Sequence, residues 1–169
     1  SATLLRDKTG SEVKIIDFAA LKKSRSEFEE FATSDDSDIY VFYTVFLCQE
    51  TDRIAREILR QAKGGRRCIF TGPQATYAPD VFLDKSDTFC VRGEPEFGVT
   101  DLVAALAENA PLTEVKGISY LEGTEIRQNE AREYTPDLDE VPIPDRTLLD
   151  HSPYYNPKMH RYPHTAILT

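Results

Sequence analysis

The chain has 169 residues, of which 40% are hydrophobic and 29% are charged. This composition is typical of about one folded domain and excludes a globally disordered chain. The 29 acidic and 20 basic side chains give a net charge of −9, which argues against nucleic acid or an anionic membrane as a partner. No stretch reaches the ~20 apolar residues of a membrane span, so none is expected.

The first quarter of the chain predicts helix, strand, helix and strand in turn. Residues 1–9 have the pattern of the end of a helix, and the apolar run at residues 13–18 predicts a strand. Ser26 and Glu29 have the spacing of a capping box, which predicts the start of a second helix. Residues 38–44 (DIYVFYT) are rich in β-branched and aromatic side chains and predict a second strand.

The middle of the chain continues the alternation. Residues 51–63 and 100–108 each carry one apolar stripe at helical spacing, which predicts two further helices. Residues 68–71 and 88–91 are continuous apolar runs, which predict strands that are covered on both faces. Strands and helices that alternate in this way form parallel βαβ units. We therefore predict an α/β fold with an open, doubly wound and mostly parallel sheet.

The composition changes near Pro111, because seven of the ten prolines and all three histidines lie in residues 111–169. We divide the chain into an α/β domain at residues 1–110 and a second segment that contains a β-hairpin and an extended linker. Residues 167–169 have the pattern of a strand that begins there. Together with the incomplete helix at residues 1–9, this predicts that the chain is an excised piece of a longer protein.

The cysteines are Cys48, Cys68 and Cys90, an odd number with wide spacing. A disulfide framework needs a denser, even set, and a zinc site needs close pairs, so neither is predicted. Small buried thiols in a reducing compartment are the simplest interpretation, and we expect a cytoplasmic protein. No CxxC, HExxH or P-loop motif occurs, and no metal ligands are predicted.

Ligands of doubly wound sheets bind beyond the carboxyl ends of the strands. Three predicted loops lie there, at residues 44–50 (TVFLCQE), 71–77 (TGPQATY) and 91–97 (VRGEPEF). Gly72 and Gly93 directly follow strands, which allows either a close approach of a ligand to the backbone or ordinary turn chemistry. The three loops are the candidate site.

The side chains of these loops indicate binding rather than catalysis. The apolar triplet at residues 45–47 is compatible with a ligand pocket and equally with packing under a helix. Glu94 and Glu96 have no histidine or lysine partner at a spacing that indicates acid–base work, and we take them as solvated charges. No catalytic residue is predicted.

Five segments of the chain resemble a known family: TGPQATYAPD, CVRGEPE, VKGISYLEGTEI, DLDEVPIPDRTLLD and YPHTAILT. In this order they are similar to the N-terminal half of cobalamin-dependent radical S-adenosylmethionine enzymes, nearest to the anaerobic magnesium-protoporphyrin IX monomethyl ester oxidative cyclase type. The resemblance implies a flavodoxin-like cobalamin (B12)-binding domain ahead of a radical barrel. The 4Fe-4S cluster and S-adenosylmethionine would then belong to the full-length protein, with the cluster cysteines just past Thr169.

The resemblance also implies which residues border cobalamin. The family pattern GGPHAT corresponds to residues 71–76 and VRGEGE to residues 91–96, with departures at Thr71, Gln74 and Pro95. The implied cofactor-binding residues are Thr44, Val45, Thr71, Gly72, Pro73, Gln74, Val91, Arg92, Gly93 and Glu94. The DxHxxG sequence that supplies a histidine to cobalt in many relatives is absent. Cobalt would therefore be bound without a histidine from this chain.

In this family the first strand is central in a 2-1-3-4-5 sheet and would precede residue 1. A sheet that lacks it is expected to have a gap, which favours rearrangement, exchange of an element or a homodimer through exposed edges.

The leading hypothesis is therefore the cobalamin-binding domain of a radical S-adenosylmethionine enzyme, without turnover of its own. The whole enzyme would be an oxidative cyclase or a methyltransferase, and its partners would be its own radical barrel and a tetrapyrrole or other small-molecule substrate. Two alternatives stay open. One is a degenerate scaffold or docking domain that has lost cobalamin, and the other is a flavodoxin-like module for flavin or nucleotide.

Overall fold

The structure is a computed structural model that describes residues 1–135 and 137–154. The α-helices in these ranges are α1 (Ala2–Thr9), α2 (Arg25–Ser34), α3 (Gln49–Ala62), α4 (Pro73–Tyr77) and α5 (Pro95–Glu108). The strands are β1 (Ile39–Tyr43), β2 (Arg67–Thr71), β3 (Thr88–Val91), β4 (Ile118–Glu122) and β5 (Glu125–Gln128). The predicted strand at residues 167–169 lies outside the described residues.

The five strands form one sheet in the order β1-β2-β3-β4-β5. The pairs β1–β2 and β2–β3 are parallel, whereas β4 runs antiparallel to both β3 and β5. Four of the five strands therefore point in one direction. The predicted α/β class and the open, mostly parallel sheet are confirmed, and the predicted hairpin is β4–β5, which extends this sheet at β3.

Helices cover both faces of the sheet, as the continuous apolar strands require. On one face, Leu5 of α1 and Leu102 of α5 pack against Ile69 and Phe89. On the other face, α2, α3 and α4 contribute Ala32, Leu59 and Ala75 to a cluster with Phe70 and Phe82. The rings of Phe42, Phe70 and Phe82 stack in a row, with centroid separations of 5.0 and 4.2 Å.

The predicted strand at residues 13–18 is wrong. The segment is irregular, and a turn follows in which the amides of Leu21 and Lys23 donate to the carbonyl oxygens of Asp17 and Phe18. An apolar run forms a strand only where a neighbouring strand accepts its hydrogen bonds, and none lies beside this segment in the described part of the chain. Because β1 pairs directly with β2, the predicted gap is absent among the described strands, and β1 is an edge strand.

The ends of two helices also differ from the prediction. The capping box of α2 consists of Ser24 and Glu27 rather than Ser26 and Glu29, with Ser24 Oγ accepting from the Glu27 amide at 3.3 Å. Both pairs have the same spacing, and Lys23 adds an ion pair with Glu27 at 2.7 Å. Helix α5 begins earlier than predicted, at Pro95, because proline favours the first position of a helix.

After the hairpin, the chain returns along the face of α1. Asp145 accepts a hydrogen bond from Arg6 at 2.6 Å, and its amide donates to the Thr3 hydroxyl at 2.8 Å. Tyr154 donates to the Asp17 carboxylate at 2.7 Å. Within residues 1–135 and 137–154, no helix is long and apolar enough to cross a membrane.

Candidate functional site

The loops that follow β1, β2 and β3 meet at one edge of the sheet, as predicted for parallel strands. The Thr44 amide donates to the Thr71 carbonyl oxygen at 2.7 Å, and the Gln74 amide donates to the Thr44 carbonyl oxygen at 3.4 Å. The Gly93 amide donates to the Thr76 hydroxyl at 3.0 Å. These bonds hold the three loops in fixed positions relative to one another.

The two glycines of the site have different roles. Gly72 has φ +98°, and a Cβ atom there would lie 2.7 Å from the Thr44 carbonyl oxygen. The close approach of β1 therefore requires a glycine at this position. Gly93 also has positive φ, at +80°, but a Cβ atom would meet nothing within 4 Å. The space above Gly93 is open to a ligand, whereas the space above Gly72 is occupied by the neighbouring strand.

Two buried hydroxyl groups at this edge lack partners. Thr44 is 0% exposed and Thr71 is 3% exposed, and the Oγ1 atoms of both have no hydrogen-bond partner among the described residues. The register of Tyr43 opposite Thr71 places the two hydroxyls on opposite faces of the sheet. Most buried polar atoms in proteins are hydrogen-bonded, so these two hydroxyls are candidates for contact with a bound group.

Asp52 is a site residue that the sequence analysis did not find. It lies in the first turn of α3, next to the Thr44 hydroxyl, and its Oδ2 atom is buried without a partner in the described part of the chain. Burial raises the pKa of Asp52, and the Thr44 hydroxyl opposes that shift only in part. The available signal was the spacing of Asp52, Arg56 and Leu59, which places them on the inner face of α3.

Replacing Asp52 with asparagine is expected to raise the free energy of unfolding at neutral pH. Because the pKa of Asp52 is higher in the folded than in the unfolded state, the wild type loses stability as the pH rises between those two pKa values. Urea unfolding of both proteins over a pH series measures the difference. The difference in the free energy of unfolding should vanish near pH 3.9, which is about the pKa of an aspartate in the unfolded chain, and grow toward neutral pH.

The control for that series is Glu50→Gln, which removes an exposed carboxylate from the same turn of α3. Its stability difference from the wild type should stay small. If the free energies of unfolding of Asp52→Asn and the wild type differ by the same amount at every pH, the raised pKa of Asp52 is contradicted.

Exposed apolar side chains follow the ends of β1 and β2. We define the rim as four side chains near the ends of β1 and β2 that are 67–89% exposed: Tyr43, Phe46, Leu47 and Tyr77. Phe46 and Leu47 lie in the short 3-10 turn at Phe46–Cys48 and are exposed rather than packed under a helix, whereas their role in a ligand pocket stays a prediction. Exposed apolar groups at the carboxyl ends of parallel strands are candidates for an interaction or ligand surface.

Polar side chains of the loops bond to one another next to the rim. Gln74 at the start of α4 donates from Nε2 to Gln49 Oε1 at 2.8 Å, which links the second loop to α3. Pro73 beside it is exposed, and Val45 is half-buried. The histidine-to-glutamine departure at Gln74 therefore places an amide pair between the β1 and β2 loops.

Two predicted cofactor-binding residues at the end of β3, Val91 and Arg92, make contacts within the protein. Val91 is fully buried, and its Cγ1 atom lies against Gly98 of α5. The Arg92 guanidinium turns away and donates to the carbonyl oxygens of Ile118 and Asn129, and burial lowers its pKa. The cofactor-binding role of Val91 and Arg92 stays a prediction.

The third loop opens into a groove of about 390 Å³. Its walls are Glu94 and Glu96 on one side and apolar linker residues, among them Leu138 and Ile143, on the other. Glu94 Oε2 accepts a hydrogen bond from the Thr135 amide at 3.2 Å, which ties the loop to the linker. Within the ranges that the structure describes, no cluster of three or more His, Cys, Asp or Glu side chains is arranged to hold a metal ion.

Comparison with solved structures shows that the fold is similar to part of cobalamin-dependent radical S-adenosylmethionine enzymes. The chain superposes on OxsB, solved with aqua-cobalamin and S-adenosylmethionine bound, with a TM-score of 0.66 and 20% identity over 78% of this chain and 19% of that chain. It superposes on the methyltransferase TsrM from Kitasatospora setae, solved with cobalamin and a [4Fe-4S] cluster, with a TM-score of 0.63 and 12% identity over 80% of this chain and 26% of that chain.

Among curated proteins, an uncharacterized methyltransferase of Pyrococcus horikoshii is 26% identical over 155 residues, which are 90% of this chain and 33% of that protein. No protein-family model matches the chain. The chain therefore spans about a third of this relative and a smaller share of both solved enzymes.

Proposed function

We propose that the chain is a cobalamin-binding domain that works with a radical S-adenosylmethionine domain in a methyltransferase. The observation that carries this proposal is the pair of orphaned, buried hydroxyls of Thr44 and Thr71 beside the exposed apolar rim. Cobalamin combines a broad macrocycle with polar amide groups around it and so matches both features. The solved neighbours with bound cobalamin and the methyltransferase among the curated relatives support the same function.

The residues present fit such a group. The rim side chains would contact the apolar parts of the macrocycle, and the open space above Gly93 would admit its edge. Thr44, Thr71 and the Gln49–Gln74 amide pair would serve its polar groups. When bound, cobalamin supplies the cobalt centre for methyl transfer, and the protein orients it and excludes water.

Cobalt is proposed to be held without a histidine from the α/β layer, because the first histidine of the chain is His151. We also propose a radical barrel as the partner of this domain and a small molecule as the substrate. An oxidative cyclase that acts on a tetrapyrrole is the second candidate reaction. The methyltransferase is preferred because both a curated relative and TsrM carry that description.

Titration of the intact gene product with hydroxocobalamin, followed by its visible spectrum, tests the proposal. A saturable spectral change, and corrinoid that stays with the protein after desalting, are expected. Phe46→Asp should weaken the binding, because it places a charge in the rim. Ile126→Asp is the matched control, since Ile126 is an exposed apolar residue on β5 at the other edge of the sheet.

Absence of any spectral change and of retained corrinoid would overturn the proposal and favour a scaffold or docking domain. A yellow chromophore that copurifies with the protein would instead favour the flavin-binding module.

A further inference from the structure

Two glutamine side chains join the first and second loops of the candidate site. Gln49 begins α3 and Gln74 lies in α4, and Gln74 Nε2 donates to Gln49 Oε1 at 2.8 Å. The backbone amide of Gln74 also donates to the Thr44 carbonyl oxygen at 3.4 Å. The main chain and the side chain of Gln74 are therefore both attached to the first loop and to α3, which limits where its amide group lies.

The pair uses only part of the hydrogen-bonding capacity of its two amide groups. Each amide has one oxygen with two lone pairs and one NH2 group with two hydrogens. Among the described residues, neither side chain has a second hydrogen bond, and none of their polar atoms is buried without a partner. Both side chains are half-buried. The unused oxygen and the unused NH2 group therefore reach the surface at the candidate site.

The direction of the hydrogen bond within the pair does not change what the pair offers. If both amides were turned over, Gln49 would donate and Gln74 would accept, and the free NH2 group and the free oxygen would exchange places. In either arrangement the linked amides present one free acceptor and one free donor group. A primary carboxamide can bond to both groups, whereas a carboxylate only accepts hydrogen bonds and an ammonium group only donates them.

The surroundings of the pair favour a ligand that is mostly apolar. Phe46 and Leu47 lie just before α3 and are exposed, as is Tyr77 at the end of α4. The nearest charged side chains along α3, Glu50 and Arg53, bond to each other at 3.0 Å. The glutamine pair is therefore an uncharged polar group beside an apolar surface, which suits a neutral polar group at the border of an apolar ligand.

We propose that Gln49 and Gln74 are a specificity-determining pair, which binds one peripheral carboxamide of the corrin ring and disfavours a carboxylate at the same position. This inference rests on the proposed function and deepens it, because it names the chemical group that the pair recognises. A carboxylate would accept a hydrogen bond from the free NH2 group but would leave the free amide oxygen without a donor. An acceptor that loses its donor on binding lowers the affinity of the complex.

A comparison of hydroxocobalamin with its monocarboxylic acids tests the inference in the intact gene product. In each acid a different peripheral carboxamide is hydrolysed to a carboxylate, and titration followed by the visible spectrum measures the affinity. General electrostatic repulsion affects all isomers similarly, so the difference between isomers is the informative quantity. The wild type should bind one isomer about fivefold to tenfold more weakly than the others.

Gln74→Lys is expected to remove this discrimination. The lysine ammonium group still has a donor for Gln49 Oε1, and a further N–H pairs with the carboxylate of the disfavoured isomer. That isomer should then bind at least as tightly as the others. Gln128→Lys is the matched control, because it adds the same charge at an exposed position at the end of β5 and should keep the wild-type order of isomers.

Thermal midpoints, recorded without cobalamin, show whether each variant is folded. If Gln74→Lys does not fold, Gln49→Leu replaces it. The single amide that remains in Gln49→Leu can turn to offer either its oxygen or its NH2 group, so the disfavoured isomer should bind within about twofold of the others.

The outcomes separate this inference from the proposed function. A wild type that fails to bind hydroxocobalamin overturns both. A wild type that binds hydroxocobalamin and all isomers of the acid equally well overturns only the role of the pair, and this comparison needs no variant. An order of isomers that the glutamine variants leave unchanged also overturns it, whereas loss of the discrimination in these variants but not in Gln128→Lys supports it.

Discussion

Gly72→Ala is expected to lower the free energy of unfolding by about 3 kcal/mol, measured by urea unfolding. A Cβ atom at this position would lie 2.7 Å from the Thr44 carbonyl oxygen and 3.3 Å from the Thr44 amide nitrogen. Both are backbone atoms and cannot rotate away. The backbone at Gly72 also has φ +98°, which an alanine adopts only under strain.

Gly93→Ala separates the two causes of that loss. Gly93 has φ +80° but open space around its Cα, so only the conformational strain applies and the expected loss is about 1 kcal/mol. Equal losses in the two variants would show that the close approach of β1 to Gly72 is not important. We also expect Gly72→Ala to weaken hydroxocobalamin binding more than Gly93→Ala, because it displaces Thr44.

Phe82→Ala is expected to destabilise the protein by about 4 kcal/mol. Phe82 is 0% exposed, and its ring stacks on Phe70 at a centroid separation of 4.2 Å. Truncation leaves a cavity between the sheet and the turn that follows α4, and the Arg56 guanidinium that bonds to the Phe82 carbonyl oxygen limits how far the chain can collapse. Urea unfolding with an unchanged m-value measures the effect.

Phe46→Ala is the control, because it removes the same side chain from a site that is 76% exposed. It should change stability by less than about 0.5 kcal/mol and weaken hydroxocobalamin binding. A comparable loss of stability in both variants would contradict the assignment of Phe82 to the core and Phe46 to the rim.

The strands that could be predicted from the sequence are continuous apolar runs, which are covered by helices on both faces of the sheet. Residues 38–44, 68–71 and 88–91 coincide with β1, β2 and β3 within two residues. Residues 13–18 have similar local composition but form no strand. A segment forms a strand only if another strand lies beside it and pairs with it, and the local sequence does not determine this.

The candidate site was predictable as a set of loops but not as a set of side-chain directions. Parallel strands place their carboxyl ends together, and the three loops do meet. The direction of Arg92 depends on the carbonyl oxygens that the β4–β5 hairpin offers. The burial of Asp52 depends on the rotation of α3 about its axis, which leaves Ile54 exposed and turns Arg56 inward.

The two edge strands of the sheet, β5 and β1, differ in how readily a further strand could pair with them. At one border, β5 carries Glu125 and Arg127, and charged side chains of this kind discourage a further strand from adding there. At the other, β1 has the uncharged sequence IYVFY, with Val41 and Tyr43 exposed. Any strand recruited by this protein, from its own chain or from another, is therefore expected to add beside β1, next to the candidate site.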